Sequence, residues 1–366
     1  MRIVIDGRLW AETGLGRYIR NLVTNLEEID ITNQYFILLL KKDYDSVTVG
    51  KNFTKILANF RWYGISEQLN LPNLIKSLNP DLVHFPHFNV PIFYRGKFIV
   101  TIHDLIHQHF QLKRATTHDP LTYKIKKFGY HKVFQHALTD ASKILTPSNF
   151  VKQQIIKEWG VDDQKVLVTY EGVEDQFLKL AKTVTKTEKF NITKPYLFYV
   201  GNAHPHKNLP TLISAFTKVK NKYPNLSLVL SGPDHHFWQQ LKQNAKIDDI
   251  IFTGFVTEKE LIGLYKGAQA FVLPSFEEGF GIPILEAMSL SCPVISSNAA
   301  SLPEVGGDAA IYFNPQNVDE LVAKIDQIMG DGKLTAKMIK KGLGRYQQFS
   351  WKKLAGETQV AYHAAG

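Results

Sequence analysis

The sequence is almost without cysteine. Cys292 is its one thiol, so no internal disulfide can form, and the composition suits a reducing compartment. No stretch approaches the roughly 20 apolar residues that span a bilayer. The opening MRIVIDGRLW reads as a strand and its loop and lacks the apolar core and cleavage site of a signal peptide, so a cytoplasmic protein is expected. No His/Cys group has zinc-ligand spacing. No glycine loop runs into Gly-Lys-Ser/Thr, which excludes that type of phosphate loop. The turn at Gly14 and Gly16 has Ile19 where a dinucleotide fingerprint needs its third glycine, which argues against a nicotinamide oxidoreductase. Asp43-Tyr44-Asp45 is the one tract resembling a diphosphate metal site, and its place in a polar loop favours a plain turn. Neither a metal nor a cofactor is expected.

What is present is ordinary globular composition in a chain long enough for about two domains: 366 residues, 44% apolar and 21% charged. The net charge of +9 is uneven. Residues 107–138 hold six basic residues (Lys113, Arg114, Lys124, Lys126, Lys127, Lys132) against one acid, Asp119, with Leu121, Ile125, Phe128 and Tyr130 interleaved. Such a segment is either a solvated helix with an apolar inner side or a helix lying on an anionic membrane surface. One local basic cluster, without a zinc finger or a single-strand-binding signature, argues against nucleic acid as a partner.

Short apolar runs alternate with amphipathic stretches throughout. Strands are expected at 2–6, 35–40, 54–58, 82–85, 98–102, 143–146 and 166–169, then at 196–200, 226–231, 250–253, 270–274, 293–297 and 309–313. Helices at 16–28, 208–222, 257–266, 317–329 and 334–347 separate many of them. This grammar predicts an α/β fold of two doubly wound, Rossmann-like domains, because thirteen strands overfill one open sheet. The polar stretch 175–195 suggests domains 1–185 and 186–348. A last helix over 349–366, capped by Ser350, has apolar residues to bury and is expected to pack back on the first domain.

Glycine turns follow the strands: Gly14 and Gly16, Gly201, Gly232, Gly254, then Gly279 and Gly281. Ligands of such sheets bind at the carboxyl ends of strands, so these turns are expected to line a cleft between the domains. In EEGFGIPILE, the glycines and Pro283 predict a turn and a helix starting near Pro283. Glu278 then lies on the turn and Glu286 about a turn into the helix. Backbone N–H groups there suit a phosphate or sugar hydroxyls, Lys207 a diphosphate, Glu286 two ribose hydroxyls, and Glu278 the hydroxyls of a sugar. Taken singly, Glu286 reads as a helix-surface acid and His103 as a structural histidine.

GNAHPHKNLPTLISAF, the tract from TGFVTEKEL to PVISSN, and SLPEVGGDAAIYFNP together resemble the second domain of retaining glycosyltransferases of family four, which have the GT-B fold. GLGRYIRNL, TIHDLIHQHF and ILTPSNFVKQQI extend the likeness over nearly the whole chain. The family signature is two glutamates with seven residues between them, here Glu278 and Glu286. The resemblance implies a first domain that binds the acceptor. It places Glu286 on the donor ribose, Glu278 and His103 beside the transferred sugar, Lys207 on the leaving diphosphate, and the backbone of Gly16 close to that diphosphate. It puts the nucleobase at Gly254 to Val256, and the rest of the donor contacts at Gly14, Gly201, Gly232, Gly279, Phe280 and Gly281, the Phe280 ring supporting the turn. Asn202 departs from the pattern, since many members carry arginine there. Arg17 or Lys143 is the candidate replacement cation. SLPEVGGDAAIYF is similar to bacterial mannosyltransferases of polysaccharide or glycolipid assembly, which implies GDP-mannose, with UDP-glucose and UDP-N-acetylglucosamine as alternative donors. The acceptor is then a saccharide or lipid-linked saccharide. A sugar-nucleotide-binding subunit without catalysis is the remaining alternative.

Overall fold

The computed structural model describes residues 1–110, 120–185, 189–190, 192, 195–233, 236–244 and 249–366, the side chains of 120–127 and 244 excepted. Lys113, Arg114 and Asp119 of the basic segment therefore lie outside the described residues, as do the side chains of Leu121, Lys124, Ile125, Lys126 and Lys127.

The chain forms two compact units. Unit 1 comprises Met1–Leu105, Lys113–Glu171 and Trp351–Gly366. Unit 2 comprises Ile106–Leu112 and Gly172–Ser350. The chain thus enters unit 2 at Gly172, ahead of the polar stretch. The physical reason is the helix Asp175–Ala181, whose Phe177 is buried and whose end is held by Lys266, which donates to the carbonyls of Ala181 (2.6 Å) and Val184 (2.7 Å).

Unit 1 contains β1 (Arg2–Asp6), β2 (Gln34–Leu39), β3 (Phe53–Leu57), β4 (Leu82–Phe85), β5 (Phe98–Thr101), β6 (Lys143–Thr146) and β7 (Val166–Val168). Unit 2 contains β8 (Tyr196–Val200), β9 (Ser227–Ser231), β10 (Ile250–Gly254), β11 (Ala270–Leu273), β12 (Val294–Ser297) and β13 (Ala310–Phe313). The first sheet runs β3-β2-β1-β4-β5-β6-β7 and the second β10-β9-β8-β11-β12-β13. All pairings are parallel, with Val4 opposite Phe36 and Val83 in one sheet, and Phe271 opposite Phe198 and Val294 in the other. The central strands are buried apolar runs, as helices on both faces require. In each sheet the order reverses between two neighbours, β1/β4 and β8/β11. That is where doubly wound sheets open a crevice at their carboxyl ends.

The C-terminal helix Trp351–Ala365 packs in unit 1 against the helix Gly14–Ile29. Tyr362 of that helix is fully buried and hydrogen-bonds His84 Nδ1 at 2.8 Å. His84 Nε2 meets Thr101 Oγ1 at 2.8 Å, and Thr101 meets the Tyr18 hydroxyl at 3.1 Å. A buried polar chain therefore joins β4, β5 and both helices. Among the described residues no helix is long and apolar enough to cross a membrane.

Candidate functional site

In unit 2 the loops after β8 and β11 are neighbours at the switch point. The first carries Lys207, the second Glu278. Lys207 Nζ lies 2.7 and 2.8 Å from the two Glu278 carboxylate oxygens, and the Ser275 hydroxyl donates to the same carboxylate at 2.7 Å. The loop is fixed from below. Phe276 N–H donates to the His206 carbonyl at 2.7 Å, and Ser297 Oγ donates to the Ser275 carbonyl at 2.6 Å. The buried Ser301 hydroxyl lies within 2.9 Å of the Glu278 carbonyl and 2.8 Å of the Phe280 carbonyl. Glu278 is therefore held in one orientation before any ligand arrives.

Gly281 ends the loop at φ 113°, a left-handed value that suits glycine, and a Cβ there would lie 2.8 Å from Leu302 Cδ2. The helix Ile282–Ser289 follows, with Pro283 in its first turn. Glu286, one turn in, is 3% exposed, and its carboxylate accepts from the Tyr265 hydroxyl at 3.1 Å. A carboxylate so deeply placed on a helix is no surface acid. Phe280 points its ring inward, 5.7 Å from Phe349, as a support of the turn.

The other expected donor residues sit on the loops at the same edge. Gly232 follows β9, and a Cβ on it would lie 2.0 Å from the Gly201 carbonyl, so that close approach excludes a side chain. Gly254 ends β10, its carbonyl accepting from Gly232 N–H at 3.1 Å, with Phe255 exposed and Val256 half-buried beyond it. Asn202 organises the β8 loop: its Oδ1 accepts from His204 N–H at 3.2 Å and its carbonyl from the Tyr199 hydroxyl at 2.7 Å. Beside Lys207, the His206 ring is buried, and burial and then the lysine charge lower its pKa to about 4.

In unit 1, His103 follows β5. Its Nε2 lies 2.9 Å from the Pro86 carbonyl, its Nδ1 3.4 Å from a Glu171 carboxylate oxygen, and the Tyr18 ring stands edge-on at 4.7 Å. Gly14 opens its helix at the surface. Gly16 is buried, where a Cβ would lie 2.3 Å from the Trp10 carbonyl, so helix packing is itself a reason for that glycine. Arg17 is half-buried on the same helix.

One expectation is corrected. Lys143 is the first residue of β6, at the amino end of the strand, and its Nζ donates to the Gln164 carbonyl at 2.9 Å. It cannot stand in for the missing arginine at the carboxyl edge. Other participants were not foreseen. His109, in the piece of unit 2 that begins at Ile106, lies 2.8 and 2.9 Å from the oxygens of buried Glu277, next to Glu278. Phe110 meets the His206 ring at 5.8 Å. Tyr265, Ser275 and Ser301 join these. The partners of Tyr265 and Ser301 lie about twenty residues away, while Ser275 meets Glu278 only three residues on, within the loop.

Residues 13–177 match the family model described as Glycosyltransferase Family 4, and residues 182–345 the one described as Glycosyl transferases group 1. The chain is 29% identical to the O-antigen chain mannosyltransferase B of Escherichia coli over 377 aligned positions, covering 96% of each. It is 30% identical to the O-antigen chain mannosyltransferase RfbU of Salmonella typhimurium, over 83% of this chain and 84% of that one. Among solved structures, Anabaena HepE in complex with UDP and glucose has the same fold, with a TM-score of 0.75 over 100% of both chains at 16% identity.

Proposed function

The chain belongs to the glycosyltransferases of group 1 and family four, and from that premise we propose that it moves a hexose from a nucleoside diphosphate sugar to a hydroxyl of a saccharide or lipid-linked saccharide, retaining the anomeric configuration. The observation that carries this reading is the Glu278 carboxylate, fixed by Lys207 and Ser275 at a glycine turn that opens a helix. We propose mannose from GDP-mannose as the donor, in keeping with the O-antigen mannosyltransferases to which the chain is similar. UDP-glucose is the second reading, favoured by the UDP and glucose bound to the HepE neighbour. UDP-N-acetylglucosamine is the third.

In this account Glu286 accepts from the ribose hydroxyls, while Lys207 and the N–H groups at the start of the helix Ile282–Ser289 take the diphosphate. Gly201, Asn202, Gly232, Gly254, Val256, Gly279 and Gly281 shape the donor site through their backbone, and Arg17 is a further phosphate contact. Lys207 is paired with Glu278, so a diphosphate shares that lysine with the carboxylate. Positioning and charge stabilisation then supply the rate. The bond from the anomeric carbon to the diphosphate oxygen breaks as the acceptor oxygen attacks on the same face. The acceptor proton passes to the leaving diphosphate. His103 and Glu278 orient the sugar hydroxyls. Reversible attachment to an anionic membrane through residues 107–138 belongs to the same proposal.

A thermal-shift series over UDP, GDP, ADP and their sugars tests the reading. A ligand at 100 times its dissociation constant adds about 2.7 kcal/mol of stability. GDP and GDP-mannose should give the largest shifts. No shift with any nucleotide would overturn the proposal.

A further inference from the structure

Unit 1 has a basic depression that the proposed chemistry leaves unused. It is open, about 590 Å³, and lined by Leu40, Lys41, Lys42, Asn59, Arg61 and Trp62. These residues follow β2 and β3, at the carboxyl edge of the sheet. Lys41 and Arg61 are exposed, and among the described residues their side chains carry no hydrogen bond or ion pair. Lys42 lies 5.9 Å from the Trp62 ring centroid and 3.9 Å from the Glu12 carboxylate, both charged groups remaining well exposed. Three cations around one aromatic floor, with one carboxylate at the margin, make an anion site.

Its position points to what the anion is attached to. Trp62 is shared with a smaller crevice lined by Asp6, Arg8, Leu9, Pro86, His87 and Asn89, at the ends of β1 and β4. The Pro86 carbonyl, in turn, holds His103 after β5. The strands β2, β1, β4 and β5 are consecutive neighbours. From the depression to His103 is therefore three strand spacings, about 14 Å, the span of a phosphosaccharide rather than of a lone phosphate. Inside the crevice, Asn89 is 5% exposed and its Oδ1 is without a partner among the described residues.

The loop that carries Arg61 and Trp62 is built to stay in place. Arg8, 2% exposed, forks onto Asp6 (2.8 and 2.6 Å), contacts Glu67 (2.6 Å) and donates to the Phe60 carbonyl (3.1 Å). Fully buried Glu67 accepts from Tyr63 N–H at 2.7 Å and so holds Tyr63 at φ 62°. A non-glycine residue in that region costs on the order of 1–3 kcal/mol, and here it sets the Tyr63 ring 6.3 Å from that of His87 and 6.4 Å from that of Phe88. Tyr63 is 61% exposed, and on the helix Ile65–Ser77 that follows it Ile65 is 81% and Leu69, one turn on, 54% exposed. Isolated exposed apolar residues need no explanation, but three close together along the chain after Trp62 do.

We propose that Lys41, Lys42 and Arg61 bind the phosphate of the acceptor, whose saccharide runs over Trp62 along the carboxyl edge toward His103. The exposed Tyr63, Ile65 and Leu69 that follow Trp62 point to a phosphate carried on a lipid. This rests on the reading of His103 as the residue beside the transferred sugar. A phosphate contact of this kind is a charge-assisted hydrogen bond, so losing two cations should weaken binding at least about tenfold.

Calorimetric titration with farnesyl phosphate, farnesol and glycerol 3-phosphate tests the site, with excess nucleoside diphosphate filling the donor loops of unit 2. Farnesyl phosphate should bind at least about tenfold more tightly than farnesol. Lys41→Ala with Arg61→Ala should erase that difference, and the conservative Arg61→Lys should keep part of it. Melting temperature and nucleotide affinity report that each variant is folded, and nucleotide affinity also separates a failure here from a failure of the donor reading. Equal affinity for glycerol 3-phosphate and farnesyl phosphate would overturn the lipid assignment. Undiminished farnesyl phosphate binding by the double variant, or none by the wild type, would overturn the site itself.

Discussion

At the scale of single residues, the carboxylates divide by what holds them. Glu286 is buried and accepts from Tyr265, and its proposed role is to accept from the donor ribose. Glu286→Gln keeps an acceptor for Tyr265 while removing the charge. Free nucleoside diphosphate affinity should fall by about 1.5–3 kcal/mol with little change in melting temperature. Unchanged affinity by calorimetry would refute the ribose role. Glu277 is a different case. Its partner His109 reaches the loop of Glu278 through that carboxylate, and its proposed role is that of a positioning residue. In a double-mutant cycle, His109→Ala and Glu277→Gln should be coupled by about 0.5–3 kcal/mol in kcat/KM. Additive losses would mean that the pair does not hold the loop as a unit. Glu278 and Glu286 stand out in the sequence as a spaced pair around a glycine turn, and Lys207 as the cation that follows Gly201; that the Lys207 and Glu278 side chains meet does not. His109 and Tyr265 were silent, because each acquires its meaning from a residue brought in by tertiary folding.

At the scale of elements, more of the structure is legible in the sequence. Each of the thirteen expected strands is present within about a residue or two, since buried parallel strands are dense apolar runs bounded by turns. The helix expected near Pro283 begins at Ile282. Lys143 went astray for a simple reason: a strand's end is visible in sequence, but which end faces the ligand depends on the sheet direction. Gly281→Ala should cost about 1–3 kcal/mol, from the left-handed φ and the crowding at Leu302, and should weaken donor binding with it. A fully stable variant with full affinity would show that the turn tolerates a side chain. In unit 1, Tyr362→Phe keeps the ring but strips His84 Nδ1 of its partner. A loss of about 1–3 kcal/mol in urea denaturation is expected, and a neutral result would mean that the buried chain from Tyr362 to Tyr18 does not secure the C-terminal helix.

At the scale of the whole molecule, each unit contains a histidine that burial keeps neutral. His84 is lowered to about 3, by burial and then by His103, and His206 to about 4, by burial and then by Lys207. Both are below the unfolded value of 6.5. Between that value and about 4, the unfolded chain binds protons that the folded chain refuses. Stability therefore falls as the pH falls through this window, by up to about 1.4 kcal/mol per pH unit for each histidine. Urea midpoints from pH 7 to 4 should show the slope, and His84→Gln should flatten it; a slope unaffected by that change would contradict the linkage. The two-domain organisation was legible from the strand count, but the crossing at Gly172 was not, because it follows which surface the helix Asp175–Ala181 buries. The most direct test is of the transfer chemistry. Wild type, Glu278→Gln and Lys207→Ala are incubated with GDP-mannose, UDP-glucose and UDP-N-acetylglucosamine in excess chelator, and nucleoside diphosphate release is followed. The account predicts release by the wild type, fastest from GDP-mannose, and losses of a hundredfold or more (about 2.7 kcal/mol or more of transition-state stabilisation) in both variants. Wild type that turns over none of the three, or variants that release nucleotide at the wild-type rate, would contradict it.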